Sequence, residues 1–114
     1  EPKSRGLGDV YKRQERSYNG LRLAKALVAK NADVTMFLMA DAVGCAKLGQ
    51  QVPEGFYNIE LMARSVARKG KLLLCGNCMD ARGLNDKEIV EGARRSTMKE
   101  LADETLAADK VLVF

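Results

Sequence analysis

The chain has 114 residues, of which 46% are hydrophobic and 5% aromatic, and a formal net charge of +4. This length fits one small domain with an aliphatic core. Because the sequence contains no histidine, it excludes Ser-His and Cys-His catalysis, HExxH metalloproteases and most zinc sites. Three cysteines are also too few for a usual structural zinc site within one chain.

Three features of the sequence predict a cytoplasmic protein. No apolar run approaches the roughly 20 residues that span a bilayer, and no signal-peptide pattern appears. The odd number of cysteines, without a framework spacing, argues against purely structural disulfides and fits a reducing compartment. We expect neither a metal nor another cofactor, and no membrane binding.

Residues 1–14 differ in character from the rest of the chain. The run Asp9-Val10-Tyr11-Lys12-Arg13-Gln14 back-translates to GAT GTG TAT AAG AGA CAG, which lies within the transposon end used in sequencing-library adapters. We interpret residues 1–14 as a non-native, adapter-derived segment, with a natural basic arm as the alternative, and place one domain at residues 15–114. That domain has 15 basic and 13 acidic residues, a net charge of +2. It lacks the basic stripe with interleaved aromatics that would predict nucleic-acid binding.

The first half of the domain alternates between helix and strand. Helical spacing of apolar residues predicts a helix from Glu15 to near Asn31, and a continuous apolar run predicts a buried strand at Val34–Met39. A short helix at Ala40–Gly49 and a loop over residues 50–57 come next. A second long helix is predicted over residues 58–68.

The second half continues the same alternation. A strand is predicted at Leu72–Cys75, a short helix capped by Asn85, and a longer helix opened by the capping-box pattern Thr97–Glu100. The chain ends with a predicted buried strand, Val111–Phe114. The predicted inner stripe of the last helix is Met98, Leu101, Ala102, Thr105 and Leu106.

Alternating strands and helices predict an α/β fold, with a parallel sheet of about four to five strands and helices on both faces. Such a unit normally begins with a strand that leads into the first helix. We therefore expect that a first strand is lost where residues 1–14 stand, and that the chain folds less stably than one that has it.

Cys75 and Cys78 stand where a predicted strand ends and a helical turn begins. A thiol at such a junction can face the positive end of a helix dipole, which favours the thiolate. A thiolate is a nucleophile and a sulfur carrier, whereas a thiol packed in a core is neither. This is the one place where the chain looks built for chemistry.

Several short segments, taken together and in order, carry a resemblance to a known family. They are Asn19-Gly20-Leu21-Arg22-Leu23-Ala24, Met36-Phe37-Leu38-Met39-Ala40-Asp41-Ala42-Val43, Gly49-Gln50, Glu54-Gly55-Phe56-Tyr57-Asn58-Ile59, Leu74-Cys75-Gly76-Asn77-Cys78-Met79-Asp80-Ala81-Arg82-Gly83-Leu84 and Ala107-Ala108-Asp109-Lys110-Val111-Leu112. With them the domain resembles the DsrE/DsrF-like sulfur-relay family, most closely its YchN-like branch. The resemblance implies a parallel α/β sheet and homo-oligomers, often trimers or hexamers.

The resemblance also implies a cysteine that carries sulfur as a persulfide, eight residues before the glycine of an Arg-Gly pair. Arg82-Gly83 places that cysteine at Cys75, and Cys78 matches a second cysteine of the YchN-like branch. The alternative for Cys75 is a strand-end core cysteine. Cys78 is either a resolving thiol that releases sulfide by forming a Cys75–Cys78 disulfide, or a packing residue.

Four further residues support this candidate site: Gly76, Asn77, Arg82 and Asp41. Arg82 either holds the thiolate or persulfide anion, or forms a surface salt bridge to Asp80 or to a neighbouring subunit. Asp41 is a candidate general acid–base, although capping of the helix at Ala42 is the favoured role. Gly76, like Gly83, is expected to permit a tight turn. Cys45 is expected to pack, with a position facing the site as the alternative.

The sequence thus predicts a small sulfur-relay or sulfurtransferase-like protein that acts through Cys75, with sulfur-donor and sulfur-acceptor proteins as partners. One alternative is a thioredoxin-like CxxC oxidoreductase. It ranks lower because that fold needs a proline-led strand beside the motif, and Pro53 lies in a loop. The other alternative is a non-catalytic oligomeric module.

Overall fold

A computed structural model describes residues 2–52 and 58–114, with the side chains of residues 15–52 and 58–114. The helices are α1 (Pro2–Ala29), α2 (Ile59–Lys69), α3 (Gly76–Ala81) and α4 (Met98–Ala107), and the strands are β1 (Thr35–Leu38), β2 (Lys71–Cys75) and β3 (Ala93–Ser96). Two 3₁₀ segments span Ala40–Ala46 and Asp86–Glu88. None of the described helices is long and apolar enough to cross a membrane.

The three described strands form one parallel sheet in the order β1-β2-β3. Leu38 pairs in register with Leu74, and Cys75 pairs with Ser96. Because the strands are parallel and in step, all three end at the same edge of the sheet. The central strand β2 therefore delivers Cys75 to the middle of that edge, where parallel α/β sheets bind their ligands.

The core lies on the face of the sheet that α1 and α2 cover. Leu72 and Leu74 of β2 are fully buried there, in one cluster with Leu21 of α1 and Val66 of α2. Burial of each such side chain contributes roughly 1.5–3 kcal/mol. Leu73 is also buried, at 1% exposure, but it lies outside that cluster because successive strand residues point to opposite faces.

The predicted α/β class, a parallel sheet flanked by helices, is confirmed. The helix expected near residues 58–68 and the strands expected near 34–39 and 72–75 are present, with ends that differ by one or two residues. The first helix is also present, but it begins at Pro2 rather than at Glu15, so the backbone of residues 2–14 belongs to α1. The predicted short helix after β1 is a 3₁₀ segment. Part of the predicted loop, residues 53–57, lies outside the described residues.

One predicted strand is absent, and one strand is present that the sequence did not predict. Residues Val111–Phe114 form no strand, and their side chains are exposed, from 55% at Val111 to 92% at Val113. A strand that the sequence did not predict, Ala93–Ser96, closes the sheet instead. Its two central residues are arginines, which suit an edge strand but hide the apolar pattern of a core strand. The described part of the chain consequently has three strands rather than about four to five.

The predicted apolar stripe of α4 is also wrong. Its members Met98, Leu101, Ala102, Thr105 and Leu106 are exposed or only half-buried. Polar contacts hold the helix instead. Glu100 accepts hydrogen bonds from Arg94 and from the Ser96 hydroxyl, and Glu104 accepts one from Thr35 at 2.7 Å. These contacts tie α4 to the sheet without burying its apolar face.

Candidate functional site

Cys75 is the last residue of β2 and also the N-cap of α3. Its side chain is buried, at 9% exposure. Its Sγ accepts a hydrogen bond from the backbone N–H of Cys78 at 3.4 Å, which is within reach for sulfur. The strand thus places the thiol at the carboxyl edge of the sheet, and the first turn of α3 fixes its position.

Cys78 lies one helical turn further on and is half-buried. The pKa of its thiol is lowered, chiefly by a hydrogen bond from the Cys75 side chain. A hydrogen bond from the Ala40 backbone and the charge of Arg82 lower this pKa further, against the opposing effect of desolvation. Hydrogen bonds and a nearby cation both favour the thiolate. The surroundings of Cys78 therefore favour its ionised form.

Ala40, which contacts Cys78, has an unusual backbone. Its φ is +50°, a left-handed conformation that costs an L-residue other than glycine roughly 1–2 kcal/mol. It directly follows Met39, just beyond the end of β1. Backbone strain of this kind clusters at functional sites, where the surrounding structure holds it in place.

Arg82 links Cys78 to the segment that follows β1. Its Nε and Nη2 donate to Asp41 Oδ1 at 3.1 and 2.8 Å, and its Nη1 donates to the Cys78 carbonyl oxygen at 3.1 Å. The predicted alternative of a salt bridge from Arg82 to Asp80 is wrong, because Asp80 pairs with Arg95. The favoured capping role of Asp41 is also wrong, because the 3₁₀ segment begins at Ala40 with Met39 as its N-cap.

Arg95 of β3 is a member of the site that the sequence did not predict. Its Nη1 donates to the Gly76 carbonyl oxygen at 3.0 Å and to Asp80 Oδ1 at 2.9 Å, and its Nε donates to Asp86 at 2.9 Å. One guanidinium thus fixes the turn between the two cysteines to the neighbouring strand. The only sequence signal for this role is a basic residue in a strand that lacks the usual apolar pattern.

The requirement for glycine at position 76 comes from this arginine and not from a tight turn. A Cβ added to Gly76 would lie 3.0 Å from the Arg95 Cγ and 3.2 Å from the Ser96 carbonyl oxygen. Gly83, in contrast, has a φ of +65°, so the predicted turn role applies there. Asn77, between Gly76 and Cys78, is exposed.

Cys45 is separate from this pair. It is buried at 9% exposure in the apolar core, as the packing prediction expected. Burial raises the pKa of the Cys45 thiol, although a hydrogen bond with the Ser17 side chain opposes that effect. A thiol that stays protonated is a poor nucleophile, so Cys45 serves as an internal control for the other two cysteines.

A model of the DsrE/DsrF-like family matches residues 6–114. The chain belongs to the DsrE/DsrF-like family. Protein YchN of Escherichia coli K12 is 43% identical over 103 residues, which are 88% of this chain and 87% of YchN. An uncharacterized protein of Methanopyrus kandleri is 33% identical over 101 residues, which are 89% of this chain and 84% of that protein.

The fold of this chain matches that of a solved relative. The crystal structure of YchN from E. coli superposes with a TM-score of 0.79 at 43% identity, over 85% of each chain. The predicted family and its YchN-like branch are thereby confirmed. The family is associated with sulfur relay.

Proposed function

We propose that this chain is a sulfur-relay protein that holds sulfane sulfur as a persulfide on Cys75. The observation that supports the proposal most strongly is the position of Cys75, at the carboxyl end of the central strand with its Sγ against the Cys78 N–H at 3.4 Å. A sulfur atom held there is largely shielded from water, which protects a reactive persulfide from side reactions.

Carriage of this kind needs no oxidant or reductant beyond donor and acceptor. On loading, an S–S bond of a donor persulfide breaks, an S–S bond to Cys75 forms, and the donor leaves as a thiolate. On unloading, an acceptor thiolate attacks the outer sulfur, and the Cys75 sulfur is the leaving group. We propose sulfur-donor and sulfur-acceptor proteins as the partners, in the cytoplasm, whose reducing conditions keep thiols available.

We also propose that the protein works as a homo-oligomer, a trimer or hexamer as the family resemblance implies. The apolar side chains on α4 and after it support this proposal, since Met98 is 59%, Leu106 86% and Phe114 59% exposed. Large apolar side chains left exposed can mark an interaction site. Light scattering coupled to size exclusion tests the proposal, and a monomer at micromolar concentration would contradict it.

A second candidate function is a dithiol–disulfide oxidoreductase. It is favoured by the closeness of the two cysteines, since the Cys75 Sγ lies 3.4 Å from the Cys78 backbone nitrogen. In that case the pair cycles between dithiol and disulfide, and no sulfur atom is added to the protein.

Mass spectrometry separates the two functions. Reduced protein is loaded with a low-molecular-mass persulfide, and the tryptic peptide Leu72–Arg82 is fragmented between Gly76 and Asn77 to distinguish the cysteines. We expect a gain of about 32 Da on Cys75, which is lost in Cys75→Ala and retained in the matched control Cys45→Ala. A folded protein that takes up no sulfur on any cysteine contradicts the relay proposal. A reversible disulfide without an adduct supports the oxidoreductase.

A further inference from the structure

The two thiols of the pair are unequally accessible. Cys75 is buried at 9% exposure at the end of the central strand, whereas Cys78 is half-buried on the first turn of α3. A donor persulfide must approach an attacking sulfur in line with the bond that breaks. Cys78 is the more exposed of the two residues to such an approach.

The surroundings of the Cys78 sulfur are also those of a reactive thiolate. Arg82, which donates to Asp41, also donates to the Cys78 carbonyl oxygen at 3.1 Å. The backbone of Ala40, with its φ of +50°, is among the groups that lower the pKa of Cys78. These contacts come from two different strand ends, after β1 and after β2. A packing role for Cys78 would require neither the strained backbone of Ala40 nor the position of Arg82 beside it.

We propose that Cys78 is the entry thiol, which takes sulfane sulfur from the donor and passes it to Cys75. The inference rests on the proposed relay function and assigns the order of its steps. It differs from a resolving role for Cys78, in which a Cys75–Cys78 disulfide forms and sulfide is released.

Both steps balance without an added oxidant or reductant. First, the Cys78 thiolate attacks the outer sulfur of the donor persulfide, so that a Cys78–sulfur bond forms, the donor S–S bond breaks, and the donor leaves as a thiolate. Second, the Cys75 sulfur attacks the outer sulfur carried by Cys78. The S–S bond between Cys78 and that sulfur breaks, and a new S–S bond joins the sulfur to Cys75. The Cys75 proton passes to the departing Cys78 sulfur.

Timed loading of single-cysteine variants tests this order. The reduced full chain, Cys75→Ser, Cys78→Ser and the control Cys45→Ser are mixed with glutathione persulfide, quenched with an alkylating agent and read by the same peptide fragmentation. In the unmodified chain and in Cys45→Ser we expect the adduct on Cys78 first and on Cys75 later. In Cys75→Ser we expect the adduct to form on Cys78 and to remain there, because no thiol is left at position 75 to take it. In Cys78→Ser we expect Cys75 to load on the order of tenfold more slowly.

The failure of this inference is distinguishable from the failure of the proposed function. If Cys78→Ser, folded by circular dichroism, loads Cys75 at the unmodified rate, the entry role is wrong while the relay stands. A Cys75–Cys78 disulfide that forms as sulfide is released also overturns the second step. If no variant and no unmodified protein gains sulfur, the relay function itself is wrong.

Discussion

The carboxyl edge of the sheet and the α4 region differ in how far their residues are buried. At the edge, Cys75 is buried and Arg95 makes three hydrogen bonds that fix the turn after it. In α4 no residue is buried, and Leu106 exposes 86% of its surface. The candidate chemistry thus lies against the buried core of the domain, whereas the apolar side chains of α4 are exposed.

The largest expected effect compares a buried with an exposed leucine. Leu72→Ala removes a fully buried side chain from β2, so the free energy of unfolding should fall by about 2–5 kcal/mol. Leu106→Ala, the matched control on α4, should change it by less than about 0.5 kcal/mol. Urea denaturation of both variants measures the contrast. Equal losses would mean that α4 buries its apolar face in solution and that the comparison is wrong.

A smaller effect is expected from a methyl group added beside the cysteines. Gly76→Ala places a Cβ 3.0 Å from the Arg95 Cγ and 3.2 Å from the Ser96 backbone, a contact that should cost roughly 1–3 kcal/mol. Nothing lies within 4 Å of a Cβ added to Gly44, so Gly44→Ala is the control. If both variants unfold at the same denaturant concentration, Arg95 does not pin this turn.

The residues just described show what the sequence can predict and what it cannot. The thiol pair and the parallel α/β class follow from local signals, since an apolar run, a glycine and two cysteines lie within a few positions. Arg95 was missed because its partners, Gly76, Asp80 and Asp86, are distant in sequence. The prediction of a buried stripe on α4 was wrong for a related reason. Helical spacing shows which residues share a face but not whether another element covers that face.

The reactivity of Cys78 offers a third test, with an effect on pH dependence. Because the pKa of Cys78 is lowered in the folded state, its alkylation should reach half-maximal rate at a lower pH than in the unfolded chain. Cys75→Ala removes the largest cause of the lowered pKa of Cys78, whereas Arg82→Gln removes a smaller cause, the charge of the guanidinium. The midpoint should therefore rise more in Cys75→Ala than in Arg82→Gln. Because the pKa of Cys78 is lowered in the folded chain, ionisation of this thiol stabilises the fold at high pH. That stabilisation is lost progressively as the pH falls through the lowered pKa.

Alkylation rates measured from about pH 6 to pH 10 span this range. Arg64→Gln is the control for Arg82→Gln, because Arg64 pairs with Glu60 on α2, away from the cysteines. A midpoint that does not move in Cys75→Ala would mean that the two side chains are not hydrogen-bonded in solution. It would also remove one support for Cys78 as the entry thiol.

The smallest effect concerns the polar anchor of α4. Hydrogen bonds from Arg94 and Ser96 lower the pKa of Glu100 to about 2, from an ordinary value of 4.5. The Glu100 carboxylate should therefore stabilise the fold at pH values above its ordinary pKa. This contribution should disappear as the pH falls from about 4.5 to about 2. Denaturation of Glu100→Gln should show a small loss at neutral pH that vanishes at the acid end, while Asp103→Asn on the same helix should show none. If Glu100→Gln is as stable as the unmodified chain at every pH, these hydrogen bonds do not hold α4, and the exposed helix must be fixed by a neighbouring subunit.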